Sequence, residues 1–136
     1  MKSKKAPIGF YIKQVDQLLT EKINLVQAEF GLTRTSWQIL NVIHEQENLE
    51  KETLLKLMSQ LSDTKTIDDI LTKFQTDNIV HVENNSLLSL TRKGKILFED
   101  CFEQQNEFRK KAMQNVTEQD YQTTISTLEQ IIRNIQ

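Results

Sequence analysis

The chain has 136 residues with 17 basic and 19 acidic side chains, a formal net charge of −2. That length fits one domain of roughly 100–200 residues and supports a core without disulfides or metal staples. A single cysteine, Cys101, excludes an internal disulfide and with it a secreted, stapled fold, and the near-zero charge excludes a protein that grips nucleic acid by bulk electrostatics alone. No apolar run approaches the roughly 18 residues of a membrane span. The opening Met1-Lys2-Ser3-Lys4-Lys5 is basic like a signal peptide, but Lys13 and Asp16 break any apolar core behind it. A cytoplasmic protein without membrane contact is expected.

With one proline and three glycines, long helices are expected. The first apolar series, Ile8, Tyr11, Ile12, Val15, Leu18, Leu19, Ile23, Val26 and Phe30, keeps helical spacing and predicts an amphipathic helix of about six turns. Gly31 is a natural left-handed stop behind it. Thr33 can cap a second helix that is apolar on several sides through Trp37, Ile39, Leu40, Val42 and Ile43, which places it at the centre of a domain. A third helix over roughly 50–60 is expected to turn Leu54, Leu55, Leu57, Met58 and Leu61 inward. Ser62 and Asp63 open a fourth, with Ile67, Ile70, Leu71 and Phe74 on its buried side.

The period then shortens. Ile79-Val80-His81-Val82-Glu83 and Leu87-Leu88-Ser89-Leu90 tend to alternate around Asn84-Asn85, and asparagine tolerates the positive φ of a tight hairpin turn. Thr91 starts a fifth helix through Ile96, Leu97, Phe98, Cys101, Phe102 and Phe108, with Gly94 marking close packing in its first turns. Thr117 with Asp120 resembles a capping box before a last helix carrying Tyr121, Ile125, Leu128, Ile131, Ile132 and Ile135.

Three central helices followed by a hairpin form the plan of a winged helix-turn-helix, in which the helix before the hairpin enters the major groove. The expected fold is mainly α, with six helices and a small β-hairpin wing. The outer stripes are longer than a small core can cover, so dimerisation helices at both termini and a homodimer are expected. The corresponding division is an arm and dimerisation helix over 1–32, a winged DNA-binding lobe over 33–95, and dimerisation helices over 96–136. Charge follows no strong patch: residues 61–95 balance five basic against five acidic side chains.

Three stretches resemble the MarR family of bacterial transcriptional regulators. Gly9-Phe10-Tyr11-Ile12 running on to Phe30-Gly31-Leu32-Thr33 and Ser36-Trp37-Gln38-Ile39-Leu40 is similar to that family's dimerisation helix and the helix after it. Leu88-Ser89-Leu90-Thr91-Arg92-Lys93-Gly94 is similar to its exit from the wing, and Asn115-Val116-Thr117-Glu118-Gln119-Asp120 to the start of its last helix. The resemblance covers the chain from about residue 8 onward. It implies an obligate dimer with two winged lobes, usually a repressor whose grip on double-stranded DNA is relaxed by a ligand or by oxidation. There are departures. Asp69 stands where members commonly carry arginine, Asn78 where they have glycine, and the loop Glu83-Asn84-Asn85-Ser86 lacks the family's Asp-x-Arg wing pattern.

On this reading the DNA-contacting residues are Thr64, Lys65, Thr66, Asp69 and Lys73 of the fourth helix, Asn84 and Asn85 of the wing, and Arg92 behind it. Lysines meet phosphate, threonines meet base edges or thymine methyls, and an aspartate accepts from a cytosine amino group while repelling phosphate. The competing reading is a solvated helix in which Lys65–Asp69 and Asp69–Lys73 satisfy each other as i,i+4 pairs. Arg34, Lys51, Lys56, Lys93 and Lys95 are further candidates for phosphate contact against a reading as ordinary surface charge, and Lys2, Lys4 and Lys5 for an N-terminal arm that adds sequence-independent affinity against a reading as disorder without function.

The resemblance also implies a pocket for a small aromatic ligand between the dimer helices and the lobe, for which Phe10, Tyr11, Gln14, Trp37 and His44 are the candidates against a plain core role. Cys101, between Phe98 and Phe102 and beside Glu99, Asp100 and Glu103, reads as a buried thiol and not as a redox sensor. His44 and His81 stand in separate elements, so no metal or cofactor is expected, and no catalytic motif occurs. Two functions follow: a dimeric, sequence-specific DNA-binding repressor, or a winged-helix dimer with weakened DNA binding that acts on another protein.

Overall fold

The computed structural model describes residues 5–136; Lys2 and Lys4 of the expected arm lie outside them. Six helices and a small sheet follow in the order α1 (Ile8–Glu29), α2 (Arg34–Glu45), β1 (Leu49–Glu50), α3 (Lys51–Met58), α4 (Thr64–Thr76), β2 (Val80–Glu83), β3 (Leu87–Leu90), α5 (Arg92–Ala112) and α6 (Glu118–Ile135). The chain forms two compact units, one up to Asn106 and one from Glu107 to Gln136.

Local chemistry sets the helix ends. α1 stops where Gly31 takes φ +73, and the Leu32 N–H returns to the Gln27 carbonyl at 3.0 Å. A full capping box opens α2: the Thr33 hydroxyl accepts from the Ser36 N–H at 3.1 Å, and the Ser36 hydroxyl accepts from the Thr33 N–H at 2.8 Å. Asp63 caps α4 by accepting from the Thr66 N–H at 2.7 Å, and Thr117 caps α6 by accepting from the Asp120 N–H at 3.0 Å. In the hairpin Glu83 pairs with Leu87 across a three-residue loop, whose Asn84 and Asn85 both have positive φ, 52° and 60°, as the central residues of a primed turn require, and the Ser86 N–H closes it on the Glu83 carbonyl at 3.1 Å.

The core of the first unit is the winged lobe. Ile39, Leu40 and Ile43 of α2 meet Leu54 and Met58 of α3, Ile67, Leu71 and Phe74 of α4, Leu88 of β3, and Phe98 and Cys101 of α5. The sheet has order β1-β3-β2, antiparallel throughout, with Leu49 opposite Leu88 and Val82 opposite Leu88 on its other side. β1 was not expected. Its two residues pair only with a strand almost forty positions away, so no local period announces it. Leu57 and Leu61, expected inward, are exposed. α3 has only two turns and a single buried face, which Leu54 and Met58 already fill.

A tight junction joins the wing to α5. The Thr91 hydroxyl donates to the Asn78 carbonyl at 2.6 Å and lies 3.1 Å from the Ile79 carbonyl, while accepting from the Gly94 N–H at 3.0 Å. Gly94 is required here: a Cβ at this position would collide with the Ile79 carbonyl oxygen. One buried polar contact links α1 to α5, Gln27 Nε2 donating to Gln105 Oε1 at 3.2 Å, and Gln105 Nε2 donating to Cys101 Sγ at 3.4 Å.

Candidate nucleic-acid interface

α4 turns Ile67, Leu71 and Phe74 into the core, so helical geometry sends Lys65, Asp69, Thr72, Lys73 and Thr76 outward together. Thr64 and Thr66 are exposed at the first turn. Beside α4 a cleft of about 210 Å³ runs towards the wing. Lys51, Asp68, Thr72, Gln75 and Asn85 form its rim, and Leu71, Val82 and Leu88 its floor. Asn84 and Asn85 are exposed at the wing tip. The Lys51 N–H donates to the Ser86 carbonyl at 2.8 Å, which ties the start of α3 to the wing.

The lysines of this surface are paired. Lys65 Nζ lies 3.2 Å from Asp69 Oδ2, Lys73 Nζ 3.5 Å from Asp77 Oδ2, and Lys51 Nζ 2.8 Å from Asp68 Oδ1. The expected Lys65–Asp69 pair is present, but Lys73 turns to Asp77 and not to Asp69. Asp69 is already engaged, and Asp77 at the C-cap offers a second carboxylate at i,i+4 spacing. Lys93 donates to the Asp77 backbone carbonyl at 2.9 Å, a cation at the negative end of α4. Arg92 and Lys95 are exposed and have no ion pair among the described residues. Asp63 has its carboxyl held below the usual range by the backbone and side-chain hydrogen bonds of Thr66, helped by nearby Lys65.

The residues named for an aromatic ligand fall into two groups. Phe10 and Tyr11 are exposed on α1 and meet edge to face at 5.5 Å, with Gln14 exposed one turn on. Trp37 and His44 of α2 both stack on Phe98, at 5.0 and 3.7 Å. Among the described residues no ring contact joins the two groups. Cys101 is fully buried, and burial pushes its thiol up against the smaller opposing effect of the Gln105 hydrogen bond. Among the described residues no group of three or more His, Cys, Asp or Glu is placed to hold a metal ion, and no helix is long and apolar enough to cross a membrane.

Sequence reasoning missed Lys51–Asp68, the pair that links α3 to α4. Seventeen positions separate the two residues, so no spacing rule connects them; only the helix-turn-helix packing does.

No protein-family model matches the sequence, and no curated protein is similar to it by sequence. Solved structures are similar over nearly the whole chain. A protein of unknown function from Listeria innocua Clip11262 matches at 22% identity with a TM-score of 0.78, over 95% of this chain and 93% of that one. The MarR family protein Rv2887 of Mycobacterium tuberculosis, solved in complex with DNA, matches at 17% identity and a TM-score of 0.73, over 93% and 98%. MepR of Staphylococcus aureus, a transcription regulator of the multidrug efflux pump MepA, matches at 14% identity and a TM-score of 0.78, over 96% and 100%. Six helices, a three-stranded wing sheet and superposition on these proteins over 93% and 96% of the chain give it the winged-helix fold of the MarR-type regulators.

Proposed function

We propose that the chain is a homodimeric, cytoplasmic, sequence-specific DNA-binding transcriptional regulator acting as a repressor. The observation that carries this reading is the outward row of Lys65, Asp69, Thr72 and Lys73 on α4 beside a hairpin wing, on the fold of a protein solved with DNA. In this reading α4 enters the major groove, and Thr64 and Thr66 meet base edges. Lys65, Lys73 and Arg92 meet phosphates, and Asn84 and Asn85 flank the duplex. Dimerisation is supported by Phe10, Val15, Leu18 and Leu25 of α1 and Ile132 and Ile135 of α6, apolar side chains left exposed that a second copy can cover. Relief of repression by a small aromatic ligand is the finer part of the reading. Its support is the aromatic surface that Phe10 and Tyr11 expose, with Gln14 as a polar neighbour.

The test is binding of the purified protein to its own upstream DNA and to a scrambled duplex, at two salt concentrations. Preference for the upstream DNA, weakening with salt, is expected. One observation favours a protein-binding role instead: each lysine of the α4 row already meets a carboxylate. A well-folded dimer that binds neither duplex selects that role.

A further inference from the structure

We propose that Asp68, Asp69 and Asp77 occupy, from within the chain, the places of DNA phosphates on Lys51, Lys65 and Lys73, and so set the specificity of the reading surface by suppressing its affinity for arbitrary duplex. This rests on the DNA-binding reading and assigns its acidic residues a role.

The geometry is consistent for both lysines of α4 and for Lys51 at the start of α3. Their ammonium groups lie 2.8 Å (Lys51), 3.2 Å (Lys65) and 3.5 Å (Lys73) from carboxylate oxygens, the first at the distance of a charge-assisted hydrogen bond and the others as looser ion pairs, each filling a place that a phosphate oxygen could take. Lys93 is engaged by the Asp77 carbonyl at 2.9 Å. Even the N-terminal end of α4, where free N–H groups favour an anion, already holds one: the Asp63 carboxylate, 2.7 Å from the Thr66 N–H. At distances larger than its own separation a lysine–carboxylate pair presents a dipole, not a net charge, so it attracts a phosphate backbone weakly even within the Debye length of roughly 8–10 Å, where an unpaired lysine would act. The Lys65–Asp69 and Lys73–Asp77 pairs lie on the surface and contribute little to folding, which leaves their carboxylates replaceable, whereas Lys51–Asp68 is half-buried and the hardest of the three to displace. Phosphate must displace a carboxylate before it gains a lysine, and the displaced carboxylate then stands beside the backbone it repels. Every sequence suffers this cost alike, whereas contacts to base edges by Thr64 and Thr66 favour one sequence only.

The experiment compares the full-length protein with a triple variant, Asp68→Asn, Asp69→Asn and Asp77→Asn, on a scrambled 30-base-pair duplex and on the protein's own upstream DNA. A control variant, Glu45→Gln, Glu47→Gln and Glu103→Gln, removes the same charge away from α4. The α4 variant is expected to bind scrambled duplex about tenfold or more tightly near 0.1 M salt, with the slope of log K against log salt steeper by roughly 0.9 for each lysine released. Its preference for upstream DNA falls accordingly. Unchanged affinity and slope overturn the proposal, as does an equal gain by the control, which would make the effect one of bulk charge. Circular dichroism checks that each variant is folded. Upstream preference in the unaltered protein without a gain in the α4 variant sinks this inference and leaves the regulator reading standing. A gain in the variant without upstream preference in the unaltered protein leaves the masking of the lysines standing, but overturns the claim that it serves specificity, together with the sequence-specific regulator reading. If neither protein binds any duplex, both fall.

Discussion

Apolar residues at helical spacing occur in the winged lobe and in the flanking helices, with opposite results. In the lobe Ile39, Leu40, Ile43, Leu54, Met58 and Ile67 are buried by their own chain. In α1, Ile8, Phe10, Val15 and Leu18 remain about half exposed, and the one buried residue is polar, Gln27. α6 buries none of its residues. A stripe therefore establishes that a face needs cover, but not which chain supplies it. Burial within one chain follows from several short elements converging, as α2, α3 and α4 do around the sheet.

Breaking the lobe should cost most. Leu54→Ala removes a fully buried side chain and should destabilise the protein by about 2–5 kcal/mol in denaturant titrations. Val15→Asp with Leu18→Asp in α1 should leave the lobe folded but halve the sedimenting mass at micromolar concentration; an unchanged mass would break the comparison. At the edge of the lobe, Thr91→Val deprives the Gly94 N–H of its acceptor and the Asn78 carbonyl of a donor, and should cost about 1–3 kcal/mol.

The smallest effect concerns Asp63. Its carboxyl is depressed in the folded state, so its contribution is present above the ordinary carboxylate range and is lost as pH falls through the folded value. Thermal melts of Asp63→Ala should therefore lie below those of the unaltered protein at neutral pH and converge with them in acid.

Much of this was legible beforehand, because it depended on neighbours in sequence. The caps at Thr33, Asp63 and Thr117, the stop at Gly31 and the hairpin turn at Asn84-Asn85 are decided within four residues, and the six helices follow from period. What escaped depended on distant packing. β1 exists only because β3 is beside it, and Leu57 is exposed only because a two-turn α3 has one face to bury. The candidate interface was readable as a row of residues but not as a charge-balanced one. Lys51–Asp68 needs α3 laid against α4, and Lys73 had two carboxylates within helical reach.

The scarcity of glycine, which reads as a sign of long helices, conceals where the chain reverses. Among the described residues every non-glycine residue with positive φ is an asparagine: Asn48, Asn78, Asn84, Asn85 and Asn115. Each bears a side chain where glycine would be the unstrained choice, so the folded state carries a small conformational penalty at each turn. The unfolded chain is restricted at the same places, since an asparagine backbone samples fewer states than a glycine one. The turns of this protein thus lose less disorder on folding than glycine turns would, and their stability is set as much by the stiffness of the unfolded chain as by any contact in the folded one.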